Sequence, residues 1–289
     1  MALRSDGTVL GWDKDGGGVP KEVKGVRNAV EVAAGNARAC ARIKDGSLWC
    51  WGYDGFGELG RGVLPKDQAI NTFPPFRVPG VTGVTAMALS GHHTCVLLKD
   101  TTSRCWGMAE YGRLGNGVVA PYSQIPTPQP VRGLKNAVGI SSSRDGMFTC
   151  ALRSDATVAC WGWNAYGELG NWDNEKEQEA TPYSVKAKWI SGAKQIATSN
   201  NTACALLEDA TVRCWGGSVY GEVGDGSTNV RARPVQVAGL RDVVELGGGE
   251  TNFCARRKDG TVWCWGRSDF GQCGDGSVNR RQEPVEISF

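Results

Sequence analysis

The stretch "CARIKDGSLWCWG", Cys40 to Gly52, places two cysteines ten positions apart with an aspartate midway between them. The arrangement returns as "CVLLKDTTSRCWG" from Cys95, "CALRSDATVACWG" from Cys150, "CALLEDATVRCWG" from Cys204 and "CARRKDGTVWCWG" from Cys254. Five copies of one pattern point to architecture rather than to a single reaction centre. Taking Asp6, Asp45, Asp100, Asp155, Asp209 and Asp259 as origins gives six units, separated by 39, 55, 55, 54 and 50 residues. A period near 50 is that of propeller blades or a solenoid.

Six positions after each aspartate stands a tryptophan: Trp12, Trp51, Trp106, Trp161, Trp215 and Trp265. Eleven positions after it, in all units but the first, comes an aromatic residue: Phe56, Tyr111, Tyr166, Tyr220 and Phe270. Glycines follow at fixed offsets, from Gly57 with Gly60 to Gly271 with Gly274, marking backbone that must turn or pack closely. A short apolar strand such as "NAVEVAAG" or "RDVVELGGG" precedes each cysteine hairpin, and another such as "RPVQV" or "EPVEI" follows the glycine-rich loop. Each unit is therefore four short strands. Four-stranded antiparallel units repeated around a ring make a β-propeller. The fold class is all-β, a single β-propeller domain over 1–289 built from six repeat units. The first unit lacks its leading strand and its Y-G-E-L-G segment, so its inner edge is expected to be either filled by the C-terminal "EPVEISF" or open. The loop before the first cysteine and the long loop after "CWG" share one face, and the aspartate turn and the link to the next unit share the other.

The motifs G-x-x-x-x-C-A-L, D-G-T-V, C-W-G and Y-G-E-L-G-D-G resemble the regulator of chromosome condensation repeat, and the resemblance spans essentially the whole chain. It implies a propeller that usually closes with seven blades, which leaves seven-bladed closure open beside the six units counted. For function it implies less, because one fold serves unrelated tasks.

Lys plus Arg total 32 against 30 Asp plus Glu, with no run of like charges. The electrostatic footprint of a nucleic-acid binder is missing, and no nucleic-acid partner is expected. No stretch of about 18 apolar residues occurs, so no membrane insertion by a helix is expected. Met1 leads directly into repeat text, "ALRSDGTV", from which no signal peptide is expected in this chain.

With Lys44 and Asp45 in a type I turn and Gly46 as the bulge, residues whose numbers sum to 90 oppose each other. Cys40 then faces Cys50 in a non-hydrogen-bonded pair, within disulfide reach. A two-residue Asp-Gly turn would instead set Cys40 opposite Trp51, and Ala156 and Ala210 replace the turn glycine in two units. Unit one carries Met1 and Gly11 at the two cysteine positions, losing both partners at once. The pairing expected is Cys40 with Cys50, Cys95 with Cys105, Cys150 with Cys160, Cys204 with Cys214 and Cys254 with Cys264. The competing reading is ten buried free thiols. Cys273, the eleventh, stands where other units have Leu59, Leu114, Leu169 and Val223, and is read as a core substitute. Five disulfides place the chain in an oxidising compartment, extracellular or at the cell surface.

A search for a reaction centre finds none, and no cofactor or metal is expected. His92 and His93 are the only histidines and are read as a loop cap. Glu58, Glu168 and Glu222 alternate with Arg113 and Gln272 at one repeat position, which favours loop hydrogen bonds over a cation ring. The chain is read as non-enzymatic, a binding scaffold for a protein partner. A carbohydrate-binding module is the alternative, and a nucleotide exchange factor for a small GTPase, as the founding family member is, is a further one. From the second loop glycine to the next proline, units two and three take 15 residues, unit four 12, and units five and six 10. These insertions carry Phe73, Tyr122 and Trp172, while Tyr53 and Trp163 stand two positions after their repeat tryptophans. Those five aromatics are the expected partner-binding residues, since rigidly held loop aromatics supply interface hot spots.

Overall fold

The computed structural model describes residues 1–12, 18–66, 72–172 and 180–287. Among them, one three-stranded and five four-stranded antiparallel sheets follow one another along the chain. The first sheet pairs β1 (Ala2–Leu3), β2 (Val9–Gly11) and β3 (Lys21–Glu22). The second runs β4 (Ala29–Ala34), β5 (Arg38–Ile43), β6 (Leu48–Tyr53) and β7 (Thr72–Arg77), and the third β8 (Val84–Leu89), β9 (His93–Leu98), β10 (Ser103–Met108) and β11 (Gln124–Pro130). The fourth contains β12 (Ala137–Ser142), β13 (Phe148–Arg153), β14 (Val158–Trp163) and β15 (Ala180–Lys186). The fifth contains β16 (Ala193–Thr198), β17 (Thr202–Leu207), β18 (Val212–Gly216) and β19 (Arg231–Gln236), and the sixth β20 (Val243–Gly248), β21 (Asn252–Arg257), β22 (Val262–Gly266) and β23 (Arg281–Glu286).

The strands β4, β8, β12, β16 and β20 pack against one another in succession and form the inner ring, so each sheet is a blade of an all-β propeller. The fourth strand of each blade is its outer edge. Pro75, Pro130, Pro182, Pro234 and Pro284 all sit there, where a missing N–H costs the ladder little. Among the described residues the first blade has three strands, and β1 packs directly against β4. The described part of the C-terminal segment pairs with β22 as the outer strand of blade six, so it does not fill the inner edge of blade one.

The hairpins adopt the three-residue turn with a bulge. Gly46 donates its N–H to Ile43 O at 2.8 Å and Ile43 donates to Ser47 O at 2.9 Å, which sets Cys40 opposite Cys50. The same register holds in the other four cysteine hairpins. All five pairs are at disulfide distance, with Cα separations of 4.0 to 4.2 Å. Each closes a short loop that removes about 3 kcal/mol of unfolded-state entropy in the chain-entropy model. The turn aspartates need no further role: the Asp45 carboxylate accepts the Ser47 N–H, and Asp100, Asp155, Asp209 and Asp259 accept both N–H and hydroxyl of the threonine two residues on.

Consecutive blades meet through the repeat tryptophans. The indole N–H of Trp106 donates to Glu58 O on the preceding blade at 2.9 Å, Trp161 to Arg113 O at 3.1 Å, and Trp215 and Trp265 to Glu168 O and Glu222 O at 2.8 Å. All four rings are fully buried. The loop glycine two residues beyond each carbonyl makes room: a Cβ on Gly170 would sit 2.8 Å from Trp215 Nε1, and its φ of +63° already favours glycine. Each joint is filled by the cysteine pair of one blade, its loop leucine or valine, and the tryptophan of the next, as Cys40, Cys50, Leu59 and Trp106 show.

Alkylation of the native chain without reduction should leave its mass unchanged, and denaturation should then expose one thiol, assigned to Cys273, which is buried and unpaired. Ten or eleven alkylated thiols in the denatured chain would remove the disulfides. The bulge residue is left-handed even where it is not glycine, with φ of 65° at Thr101, 59° at Ala156 and 61° at Ala210. Thr101→Gly should raise the unfolding free energy in urea by about 1 kcal/mol, and the alanine positions by less, because a Cβ is disfavoured there. An unchanged or lower midpoint for Thr101→Gly would show that the turn stores no strain.

Candidate protein-binding face

The loops joining first to second and third to fourth strands emerge together, and the loop after "CWG" is braced from within. The Glu58 carboxylate accepts the Phe56 N–H at 2.7 Å, Glu168 that of Tyr166 at 2.9 Å, and Glu222 that of Tyr220 at 2.7 Å. In blade six the Gln272 carbonyl oxygen does the same for Phe270 at 2.8 Å. A second brace runs from the loop start, where Asp54, Asn164, Ser218 and Ser268 accept the N–H five residues on. The glutamates are thus loop-bracing groups. Blade three differs: Arg113 donates its Nε–H to Glu110 O at 3.0 Å, and the 3₁₀ turn Glu110–Gly112 carries Tyr111 with a left-handed φ of 57°.

These loops bury titratable groups. Burial pushes the Glu168 carboxyl up to about 8 and Glu58 up to about 7, with Arg38 pulling Glu58 the other way, and Glu222 is also raised by burial. Arg38 is buried and donates to Gly91 O and His93 O of the next blade at 2.8 and 2.7 Å. His93 bonds Ser90 Oγ through Nδ1 at 2.6 Å and Thr149 Oγ1 of blade four through Nε2 at 2.9 Å. Burial holds its pKa well below the usual histidine value. With both ring nitrogens occupied by hydroxyls, no carboxylate behind it and no exposure, His93 ties a loop together.

The five sequence-predicted aromatics do not form one cluster. Tyr53 folds over its own loop and meets Phe56 edge-on at 6.3 Å, and Phe56 in turn meets His92 of blade three at 5.0 Å. Trp163 receives Tyr111 of blade three edge-on at 4.5 Å. Phe73 lies beneath the Arg61 guanidinium, 3.5 Å from the ring centre, and packs onto the joint between blades two and three. Trp172 is partly buried, and its indole N–H makes no hydrogen bond among the described residues. Tyr122 is 82% exposed, its N–H held by Glu110 Oε1 at 2.8 Å. Sequence reasoning missed Tyr111 and Phe56 because they sit at a position every full unit fills with an aromatic. It also missed a cationic and aromatic group at the other end: Arg267 over Tyr220 and Phe270 at 4.9 and 5.4 Å, and Arg280 over Tyr220 at 4.5 Å. Beside it a cavity of about 310 Å³ is lined by residues including Asn200, Tyr220, Glu222 and Arg267.

Two models of the regulator of chromosome condensation (RCC1) repeat match residues 29–58, 193–222 and 243–272, and residues 45–97 and 259–289, together just over half of the chain. The chain is 31% identical over 218 residues to the mitochondrial RCC1 domain-containing protein RUG3 of Arabidopsis thaliana, an alignment covering 73% of this chain and 47% of that protein. It is 28% identical over 257 residues to the human E3 ubiquitin-protein ligase HERC2, covering 83% of this chain and 5% of the ligase. It therefore spans about half or less of these relatives. Yeast RCC1 (Prp20), solved bound to Kap60, superposes with a TM-score of 0.82 at 19% identity, covering 99% of this chain and 72% of that one, a likeness of fold.

The buried glutamates set a pH dependence. The folded-state value of Glu168 lies above its ordinary 4.5, so its stabilisation is full below about pH 4.5 and is lost as pH rises through about 8. Glu168→Gln, the exchange blade six already carries at Gln272, should flatten the fall in melting temperature over that window. It should add at least about 1 kcal/mol at pH 8. An unaltered pH profile would show that Glu168 is ionised in the folded chain.

Proposed function

The chain belongs to the regulator of chromosome condensation repeat family, and we propose that it is a non-enzymatic scaffold presenting the loop face of its propeller to a protein partner. The observation that supports this reading most is the Tyr111 and Trp163 pair. It spans blades three and four, and Tyr111 remains 37% exposed on a left-handed backbone that costs energy to hold. A half-exposed aromatic pair held across two blades has the character of an interface hot spot. Tyr53, Trp172 and Tyr122 add amphipathic area on loops of the same face. Yeast RCC1 (Prp20) supports the class of partner, since another protein, Kap60, is bound to it. Five cysteine pairs are compatible with an oxidising compartment, and we place the chain outside the cell or at its surface on that ground.

Affinity capture from the source tissue or culture fluid identifies the partner, and titration with loop variants tests the face. Tyr53→Ala, Trp163→Ala and Trp172→Ala should each weaken binding by about 1 kcal/mol, roughly fivefold, with little change in melting temperature. Trp189→Ala, on the opposite face and 46% exposed, should bind as the parent does. If Trp189→Ala loses the partner and the loop variants keep it, the assigned face is wrong.

A further inference from the structure

The position two residues after the repeat tryptophan carries Tyr53, Met108 and Trp163 in blades two to four, but Gly217 in blade five. Where that side chain is missing, at the tops of blades five and six, lies the cavity of about 310 Å³. Blade five contributes Asn201, Gly217 and Glu222 to its wall, and blade six contributes Glu250, Thr251 and Arg267. Glu222 is only 5% exposed. One of its carboxyl oxygens accepts the Tyr220 N–H at 2.7 Å, and the other has no hydrogen-bond partner among the described residues. The corresponding oxygens of Glu58 and Glu168 are sealed from solvent, whereas that of Glu222 opens on the cavity. Burial raises the Glu222 pKa, with Arg280 and Arg267 pulling the other way. Those two guanidiniums are engaged elsewhere: they bond the Asp269 carboxylate at 3.2 and 3.0 Å, and both stand over the Tyr220 ring. Blade two shows the same brace with a cation of its own. There Arg38 is buried, pulls against the raised pKa of Glu58, and donates to two carbonyls of the next blade. Unit five has Thr202 in the place of Arg38.

We propose that this cavity receives an arginine side chain of the protein that meets the loop face, its guanidinium on the carboxyls of Glu222 and Glu250. The proposal rests on the reading of that face as a protein-binding surface and adds the chemistry of the partner. Two carboxyls line the cavity against one guanidinium, and that guanidinium is already matched by Asp269. An anion would meet Glu222 and Glu250 and would have to displace Asp269 from Arg267. A neutral hydroxyl ligand would leave the carboxyl of Glu222 without a counter-charge. A guanidinium carries five N–H donors in a fixed fork that pairs with a carboxylate through two parallel bonds, and the side-chain amide oxygen of Asn201 is a further acceptor on the wall. Arg38 beside Glu58 is the precedent within the chain: a guanidinium supplied there by the blade itself is, at this joint, left for a partner to supply.

The test is an NMR titration of the full chain, labelled with nitrogen-15, by a pentapeptide with a central arginine between glycines and both ends capped, read at the backbone N–H resonances of Asn201, Gly217 and Thr251. Expected is a saturable shift confined to the loops that carry these residues. The same peptide with citrulline, the uncharged isostere of arginine, should bind at least about tenfold more weakly. Glu222→Gln should weaken the arginine peptide by a similar factor and Glu250→Gln by about threefold. Both variants keep their shape: Gln272 already makes the brace in blade six, Glu250 is exposed, and a melting temperature no lower than the parent's checks each. Trp163→Ala should leave the titration intact, so that loss of this site and loss of the Tyr111 and Trp163 surface are told apart. No saturable shift up to about 20 mM peptide, equal binding of the citrulline peptide, tighter binding of a peptide with glutamate at its centre, or a Glu222→Gln chain that binds as the parent does would overturn the proposal.

Discussion

Everything in this propeller that recurs from blade to blade is arranged around one contact, an indole N–H of one blade bonded to a loop carbonyl of the blade before it. Burying a tryptophan removes roughly 200 Å² from water, worth about 5 kcal/mol as an upper estimate, whereas the hydrogen bond contributes about 1 kcal/mol net. The ring therefore supplies the adhesion and the bond supplies the register. Shifting a blade along its neighbour by one residue would keep most of the apolar contact and lose the bond, leaving a buried donor and a buried carbonyl unpaired. That asymmetry fixes how blades stack. It also demands the glycine beneath each ring, because a Cβ on Gly60, Gly115, Gly170 or Gly224 would stand within 2.9 Å of the indole.

A carbonyl can serve as a fixed acceptor only if its loop is fixed. The carboxylate of the same residue holds the loop from inside, turning back to the N–H two positions earlier. The cost is a carboxyl taken out of water, its pKa raised by burial, with one oxygen of Glu58 and of Glu168 left without a partner. Gln272 makes the same brace without the charge, so the repeat does not require ionisation. A loop face stiffened in this way carries its aromatics on backbone that need not be ordered on binding, which spares the partner that part of the association cost.

The parts legible in sequence are those set by short spacing: six units, four strands, the hairpin register and the cysteine pairs. All depend on residues within about a dozen positions of one another, where backbone geometry alone decides. Cys273 was legible as well, since its place among Leu59, Leu114, Leu169 and Val223 announces a buried position. The fate of individual loop aromatics was not. Phe73 and Trp163 have the same sequence signature, an aromatic where other units lack one, yet Phe73 is capped by Arg61 while Trp163 meets Tyr111 from another blade, 52 positions away in the chain. Such partners are chosen by blade packing, which the period announces only in outline. Trp51 is the sharper case: its repeat position is that of Trp106, Trp161, Trp215 and Trp265, yet it is only partly buried where those four are fully buried.

Blade one shows that the recurring elements form a single mechanical unit. It lacks the cysteine pair and the counterpart of the Gly57-Glu58-Leu59-Gly60 segment together. In the complete blades the cysteines face the same joint that the turn closes, for they pack in one cluster with the next tryptophan. A covalent link across the second and third strands stiffens the wall against which that tryptophan is pressed. In unit one Met1 and Gly11 stand in place of the pair. Among the described residues the joint beside blade one buries Val9, Val26, Ala29, Ala41 and Ile43, whereas the other four joints each bury more than twice as many. The cysteine pairs are thus better understood as reinforcement of the joints than as independent staples of each hairpin, since those of blades two to five each pack in one cluster with the tryptophan of the next blade.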